Sequence, residues 1–276
     1  MIHEEIDIRV EGSEYSAKLV TYFHERSREI ADYLRPAVII CPGGAYSFTS
    51  DREADPIALR FVAMDYNVAV LRYSTEPARF PEALRQLAAA VALLRKKSEQ
   101  WCIDTEKILV QGFSAGGHLA ASLGVFWQEP FVWTGIATSA QQVRPNGMIL
   151  AYPVITSGEK GHQDSFRNLL GVEYTNPEKR AAMSLERSVS QDTPPTFLWH
   201  TTTDADVPVE NSLLLFTALK EKNVPVEMHI YPVGVHGVAL ATKETACSDG
   251  SRIQEECTSW ISLVHDWIHY TFERGN

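Results

Sequence analysis

Residues 112–116 read Gly-Phe-Ser-Ala-Gly, a serine with glycines two positions to either side. The apolar run Lys107-Ile108-Leu109-Val110 precedes them, and the helix-compatible run His118-Leu119-Ala120-Ala121-Ser122-Leu123 follows. Strand, sharp turn and helix are the setting in which a serine hydroxyl stands clear at the end of a sheet. Glycine lets the chain turn there where a Cβ would clash. Ser114 is therefore the candidate nucleophile. A serine hydroxyl attacks poorly at neutral pH, so it needs a base within hydrogen-bonding reach and a third group to orient that base. His236, bracketed by Gly234 and Gly237 beyond the last predicted strand, fits the base. Asp204, in the segment from His200 to Pro208 that leaves a strand and opens a helix, fits the acid. An attacked carbonyl also needs backbone N–H groups for its developing charge. Gly44 and Ala45, in Cys41-Pro42-Gly43-Gly44-Ala45-Tyr46, and Ala115, next to the serine, are the candidate oxyanion-hole donors.

Other residues compete for these roles. Among nine histidines, His118 stands one helical turn beyond Ser114 and His229 inside a strand, and both read as packing or capping groups. His265 and His269 have the i, i+4 spacing of a metal pair, but Asp266 stands where a zincin helix has Glu and no third ligand is evident nearby. They read as helix surface, so neither a metal nor another cofactor is expected. Asp206, just ahead of Pro208, reads as an anion at a helix N-terminus, worth about 0.3–1 kcal/mol.

The elements that must position these residues follow from hydrophobic patterning. Ile6–Val10 and Ala17–Phe23 alternate and predict an antiparallel edge pair. Beyond Pro36, short apolar runs at Ala37–Cys41, Val68–Tyr73, Ile108–Gln111, Met148–Tyr152, Thr196–His200 and Val226–Tyr231 alternate with amphipathic stretches. That is the pattern of a mostly parallel sheet with helices on both faces. Leu84, Leu87, Val91 and Leu94 give one helix its buried stripe over about 81–97. Ile253, Cys257, Trp260, Val264 and Trp267 predict the same for the last helix. Residues 155–195 break the alternation with Gly, Ser, Asn and Pro and read as an insertion overhanging the carboxyl ends of the strands, where ligands bind.

The chain of 276 residues is 45% apolar, which fits one large α/β domain spanning 1–276 with a cap-like insertion. Its 25 basic and 35 acidic residues give a formal charge of −10 without blocks of one sign, which argues against nucleic acid or an anionic membrane surface as partner. No run approaches the roughly 18 apolar residues of a membrane span. Four cysteines without C-x-x-C spacing and an N-terminus unlike a signal peptide predict a cytoplasmic protein.

Together these segments resemble the esterase/lipase branch of the α/β hydrolases, over about residues 36–270. They look close to the hormone-sensitive-lipase-like and carbohydrate acetyl- or feruloyl-esterase-like groups. Leu71-Arg72-Tyr73-Ser74-Thr75-Glu76-Pro77 with Phe80-Pro81-Glu82-Ala83-Leu84 resembles their Y-R-L-A-P-E…F-P-A-A-L segment. Thr193 to His200, then D-x-x-V-P at Asp204 to Pro208 and E-N-S at Glu210 to Ser212, resembles the segment carrying their acid. The glycine loop departs from H-G-G-G, with Pro42 in place of the histidine and Ala45 in place of the last glycine.

The resemblance implies an α/β-hydrolase fold, the chain order Ser, Asp, His, and a serine carboxylesterase. Such an enzyme needs no cofactor and takes a small-molecule ester, with acylated sugars as the implied class. The polar stretch Ser157 to Asp164 predicts a wet rim over a short acyl pocket, not an apolar lipase lid. Two rivals share the pattern. A prolyl-oligopeptidase-like peptidase has the same triad order but usually a large extra domain. An inactive hydrolase used for binding would be expected to have lost part of the intact Ser, Asp, His set.

Overall fold

Strands β1 (Glu5–Arg9), β2 (Ser16–Tyr22), β3 (Arg35–Cys41), β4 (Asn67–Arg72), β5 (Ile103–Phe113), β6 (Gly147–Ala151), β7 (Thr196–Thr201) and β8 (Val226–Tyr231) form one sheet in the order β1-β2-β4-β3-β5-β6-β7-β8. The structure is a computed structural model and describes residues 1–272. Strand β2 runs antiparallel to both β1 and β4, and every pairing from β4 through β8 is parallel. This is the expected α/β-hydrolase architecture, antiparallel edge included. Helices α1 (Asp55–Ala63), α2 (Glu82–Lys96), α3 (Ser98–Trp101), α4 (Ala115–Phe126), α5 (Pro130–Trp133), α6 (Gln163–Leu170), α7 (Pro177–Ala181), α8 (Glu210–Glu221) and α9 (Trp260–Phe272) connect and cover the strands.

The apolar runs are continuous because both faces of the sheet are buried. Within β3, Ala37, Ile39 and Cys41 pack with Leu84, Leu87, Val91 and Leu94 of α2 and Leu119 and Leu123 of α4. Val38 and Ile40 face the other way, onto Ile57 and Phe61 of α1 and Trp260, Val264 and Trp267 of α9. Strand β3 pairs with β4 on one side and β5 on the other, and the helices that follow β3 and β5 lie on opposite faces. The loops leaving the carboxyl ends of β3 and β5 therefore diverge, and that switch point is where open α/β sheets place ligands.

One expectation needs correction. The last helix begins at Trp260 and not near Ile253. Cys257 and Trp260 are buried as the stripe required, but Ile253 is 47% exposed. The Gln254 N–H bonds back to the Ala241 carbonyl, and Arg252 has φ 71°. Tertiary hydrogen bonds thus hold this stretch as a loop in spite of its periodicity. The stretch read as an insertion lies between β6 and β7. It contains α6 and α7, and it buries Phe166, Leu169 and Leu170 while Val172 stays 88% exposed. Among the described residues no helix is long and apolar enough to cross a membrane.

Candidate active site

Ser114 stands between the end of β5 and the start of α4 with φ 54° and ψ −120°, a left-handed backbone conformation that an L-residue rarely adopts. Such conformations cost about 1–3 kcal/mol and persist only where the surroundings enforce them. Here the Ser114 N–H donates to the Ala151 carbonyl at 3.1 Å, and its carbonyl accepts from His118 and Val154 at 3.1 and 3.0 Å. The flanking glycines are required by contact. A Cβ on Gly112 would lie 2.1 Å from the Gly116 carbonyl oxygen, and one on Gly116 would lie 2.1 Å from that of Cys41. The pentapeptide spacing read from the sequence is thus the condition for α4 to leave β5 at so sharp an angle.

The structure brings Ser114, His236 and Asp204 together. His236 Nε2 lies 2.7 Å from Ser114 Oγ. His236 Nδ1 lies 2.7 Å from Asp204 Oδ2. A carboxylate only accepts, so Nδ1 carries the proton and Nε2 faces the serine hydroxyl as acceptor. Asp204 Oδ1 accepts from the backbone N–H groups of Asp206 and Val207 at 3.1 and 2.9 Å. Burial raises the Asp204 carboxyl, but hydrogen bonds with His200 and His236 outweigh it and hold the group well below the usual carboxylate range.

Asp206 departs from its expected place. Helix α8 begins only at Glu210, so Asp206 stands outside its first turn. It lines the cavity over Ser114 instead. The chain continues through Pro208 before the helix starts, which detaches the carboxylate from the helix N-terminus.

The loop after β3 is pinned at its carbonyls. Pro42 O accepts from Tyr73 Oη at 2.7 Å, Gly44 O from the Ser47 N–H at 2.9 Å, and Ala45 O from Asn168 Nδ2 at 2.9 Å. Ala45 holds φ 55° and Tyr46 φ 58°, so the position of the missing glycine keeps a glycine-like backbone. Among the described residues no protein acceptor meets the N–H groups of Gly44, Ala45 or Ala115. Gly44, Ala45, Ser114, His162, Asp206 and His236 border a cavity of about 210 Å³. A larger groove of about 650 Å³, between α2 and residues 135–142, contains none of these groups. Donors without partners beside a hydroxyl bonded to an imidazole can support acyl transfer through a tetrahedral oxyanion.

Several neighbours escaped the sequence reading. His200 is fully buried with Nε2 3.4 Å from Asp204 Oδ2 and 2.9 Å from the Val207 carbonyl, so this nitrogen is a donor to both. Ser212, the last residue of the E-N-S motif, bonds the other His200 nitrogen at 2.8 Å. Glu53 is 3% exposed and accepts from the Gly43 N–H and from Tyr152 Oη at 2.8 and 2.7 Å. From the insertion, His162 reaches the cavity, and burial, then the nearby His236, lowers its imidazole below the ordinary value.

His118 behaves as the packing group expected, with Nε2 3.1 Å from the Met183 carbonyl and Nδ1 2.9 Å from Tyr46 Oη. His265 pairs with Tyr66 Oη at 2.8 Å. No group of three or more metal-ligating side chains stands together among the described residues.

Comparison with known proteins identifies the family. The BD-FAE family model matches residues 27–219. Endo-1,4-beta-xylanase B of Butyrivibrio fibrisolvens is 38% identical over 77% of this chain and 34% of its own length. The acetylxylan esterase of Xylanibacter ruminicola is 30% identical over 75% of this chain and 42% of its own. The chain thus spans less than half the length of these two curated relatives. The crystal structure of an acetyl ester-xyloside bifunctional hydrolase from Caldicellulosiruptor lactoaceticus superposes with a TM-score of 0.81 at 33% identity, covering 97% of this chain and 96% of that one. The chain belongs to the BD-FAE family of esterase/lipase-like α/β-hydrolases.

Proposed function

We propose that this chain is a serine carboxylesterase that hydrolyses short-chain acyl esters, acetylated sugars among them, through an acyl-enzyme. The single observation that carries the reading is the continuous chain Ser114 Oγ, His236, Asp204, with both links 2.7 Å, bordering a cavity beside unpartnered backbone donors. Ser114 Oγ attacks the ester carbonyl while His236 Nε2 takes its proton. The N–H groups of Gly44, Ala45 and Ala115 receive the oxyanion. Collapse expels the alcohol, which takes the proton from His236 and leaves an acyl-serine. Water, deprotonated by His236, then attacks that acyl group, and the carboxylic acid departs as Ser114 recovers its proton. Asp204 orients the imidazole and stabilises its charged form throughout.

An acetylxylan esterase and an acetyl ester-xyloside bifunctional hydrolase among the relatives support the acetyl ester as the acyl part. The polar rim at Ser157–Asp164 and the small volume over Ser114 support a short acyl chain and a polar alcohol. On this reading the chain is one catalytic domain, with residues 155–195 as its rim. Labelling with a fluorophosphonate separates an enzyme from a binding-only hydrolase: wild type reacts at Ser114, and Ser114→Ala does not. Acyl length is read from 4-nitrophenyl esters. Each methylene that a pocket buries adds about 0.8 kcal/mol, so kcat/KM that keeps rising to long chains, with activation at an oil–water interface, would sink the short-chain reading. The expected profile peaks between acetyl and butyryl and falls by octanoyl.

A further inference from the structure

Glu53 is a buried carboxylate that the reaction itself does not use, and it joins the two halves of the site. Its Oε2 accepts from the Gly43 N–H at 2.8 Å, at the root of the loop bearing the Gly44 and Ala45 donors. Its Oε1 accepts from Tyr152 Oη at 2.7 Å. Tyr152 Oη in turn accepts from the Ala239 N–H at 3.0 Å, three residues beyond His236. The Tyr152 ring meets the His236 ring edge-on, with centroids 5.1 Å apart. A Cβ built on Gly43 would stand 2.7 Å from Glu53 Oε2 and 2.9 Å from Ser114 Cβ, so no side chain fits between the carboxylate and Ser114.

We infer that Glu53 is a positioning residue that sets the anion-hole loop and the His236 loop in register with each other. The inference rests on the esterase reading above. It follows from what the partners offer. Gly43 and Tyr152 both donate, and the Tyr152 oxygen is already engaged by Ala239. Only a group with two acceptor oxygens satisfies both donors at once, and an ionised carboxylate is that group. An amide in its place turns an N–H₂ toward a donor. Either the Gly43 N–H or the tyrosine hydroxyl hydrogen is then left without a partner beside a side chain that is only 3% exposed. The loop moves to relieve it, and oxyanion donors act only when they are fixed in advance. Substrate binding in the cavity does not need that alignment, whereas the transition state does.

The test compares Glu53→Gln and Tyr152→Phe with wild type on 4-nitrophenyl acetate, with rates normalised to sites titrated by a fluorophosphonate and with affinity for a boronic acid transition-state analogue. In Glu53→Gln, kcat per titrated site is expected to fall about 10²-fold with KM within about threefold, and boronate affinity to fall in parallel. Tyr152→Phe keeps the ring contact with His236 but removes the hydroxyl that joins Glu53 to Ala239 on the His236 loop, so a smaller loss in kcat with the same KM is expected. A purely structural role would lower the titrated fraction and leave kcat per site unchanged. That outcome in a folded Glu53→Gln overturns the inference. Where Glu53→Gln does not fold, an unchanged kcat per site in Tyr152→Phe overturns it. A wild-type chain that neither labels nor hydrolyses esters overturns the esterase reading, and with it this inference. Active wild type with equally active variants overturns the inference alone.

Discussion

Replacing Asp204 by asparagine changes one atom and inverts the hydrogen-bond logic of the site. Oδ1 accepts two backbone N–H groups, from Asp206 and Val207, and Oδ2 faces two imidazole nitrogens, His236 Nδ1 at 2.7 Å and His200 Nε2 at 3.4 Å. An asparagine has one acceptor oxygen for these four donors. If the oxygen stays with the backbone, the N–H₂ faces His236 Nδ1, which must then accept. The ring proton moves to Nε2 and points at Ser114 Oγ, so the base can no longer take the serine proton. If the amide flips, two buried backbone N–H groups lose their acceptor, at about 1–3 kcal/mol each. The first arrangement is therefore favoured, and the wrong tautomer costs about 10⁴-fold in kcat where such a triad has been altered in this way.

The assay is kcat on 4-nitrophenyl acetate, with Asp206→Asn as the paired control. The control side chain lines the cavity without bonding His236. It should keep kcat within about threefold and stability within about 0.5 kcal/mol. An Asp204→Asn enzyme that folds and retains a tenth of wild-type kcat, or a larger loss in Asp206→Asn, would refute the reasoning and move the acid to Asp206.

Ser114→Ala should keep the fold and hydrolyse esters only at the residual level that binding and the anion hole supply, about 10³- to 10⁴-fold over water. Near-normal turnover by a well-folded variant would falsify the nucleophile. Gly116→Ala places a methyl 2.1 Å from the Cys41 carbonyl oxygen, whereas Gly158→Ala meets nothing nearer than Thr156 Oγ1 at 3.3 Å. The first should lose about 3 kcal/mol or fail to fold and the second change stability by under about 0.5 kcal/mol, as read by urea unfolding. Burial lowers the His118 imidazole from 6.5 to about 4. The unfolded chain therefore takes up this proton first, and stability falls as pH drops from about 6.5 to about 4. At about 1.4 kcal/mol per pH unit the loss approaches about 3 kcal/mol. Urea unfolding of wild type and His118→Gln across that range should show the wild-type slope reduced in the variant, and equal slopes would refute the buried, uncharged assignment.

What the sequence determined by itself was local. Glycines two before and two after a serine, between an apolar run and a helix-compatible one, require a sharp strand-to-helix turn, because the close approach of Gly112 to Gly116 and of Gly116 to Cys41 leaves no room for a Cβ. Continuous apolar runs specify strands buried on both faces, and the α2 stripe specifies one buried helix face, since period and burial are properties of neighbouring residues. Motif and chain order pointed from Ser114 to His236, 122 residues away, but only the tertiary structure brought Glu53 to Tyr152, 99 residues apart. No periodicity encodes such pairs, and a buried carboxylate or imidazole reads in sequence like any exposed one. The loop around Arg252 shows the limit most clearly. Its apolar spacing favours continuing the helix back to Ile253, yet Arg252 turns through a left-handed backbone to donate to the His236 and Gly237 carbonyls. Hydrogen bonds across the fold outweigh local preference there, because intrinsic helix propensity differs by only about 0.7 kcal/mol or less among ordinary residues, whereas hydrogen bonds to charged groups contribute about 1.5–3 kcal/mol.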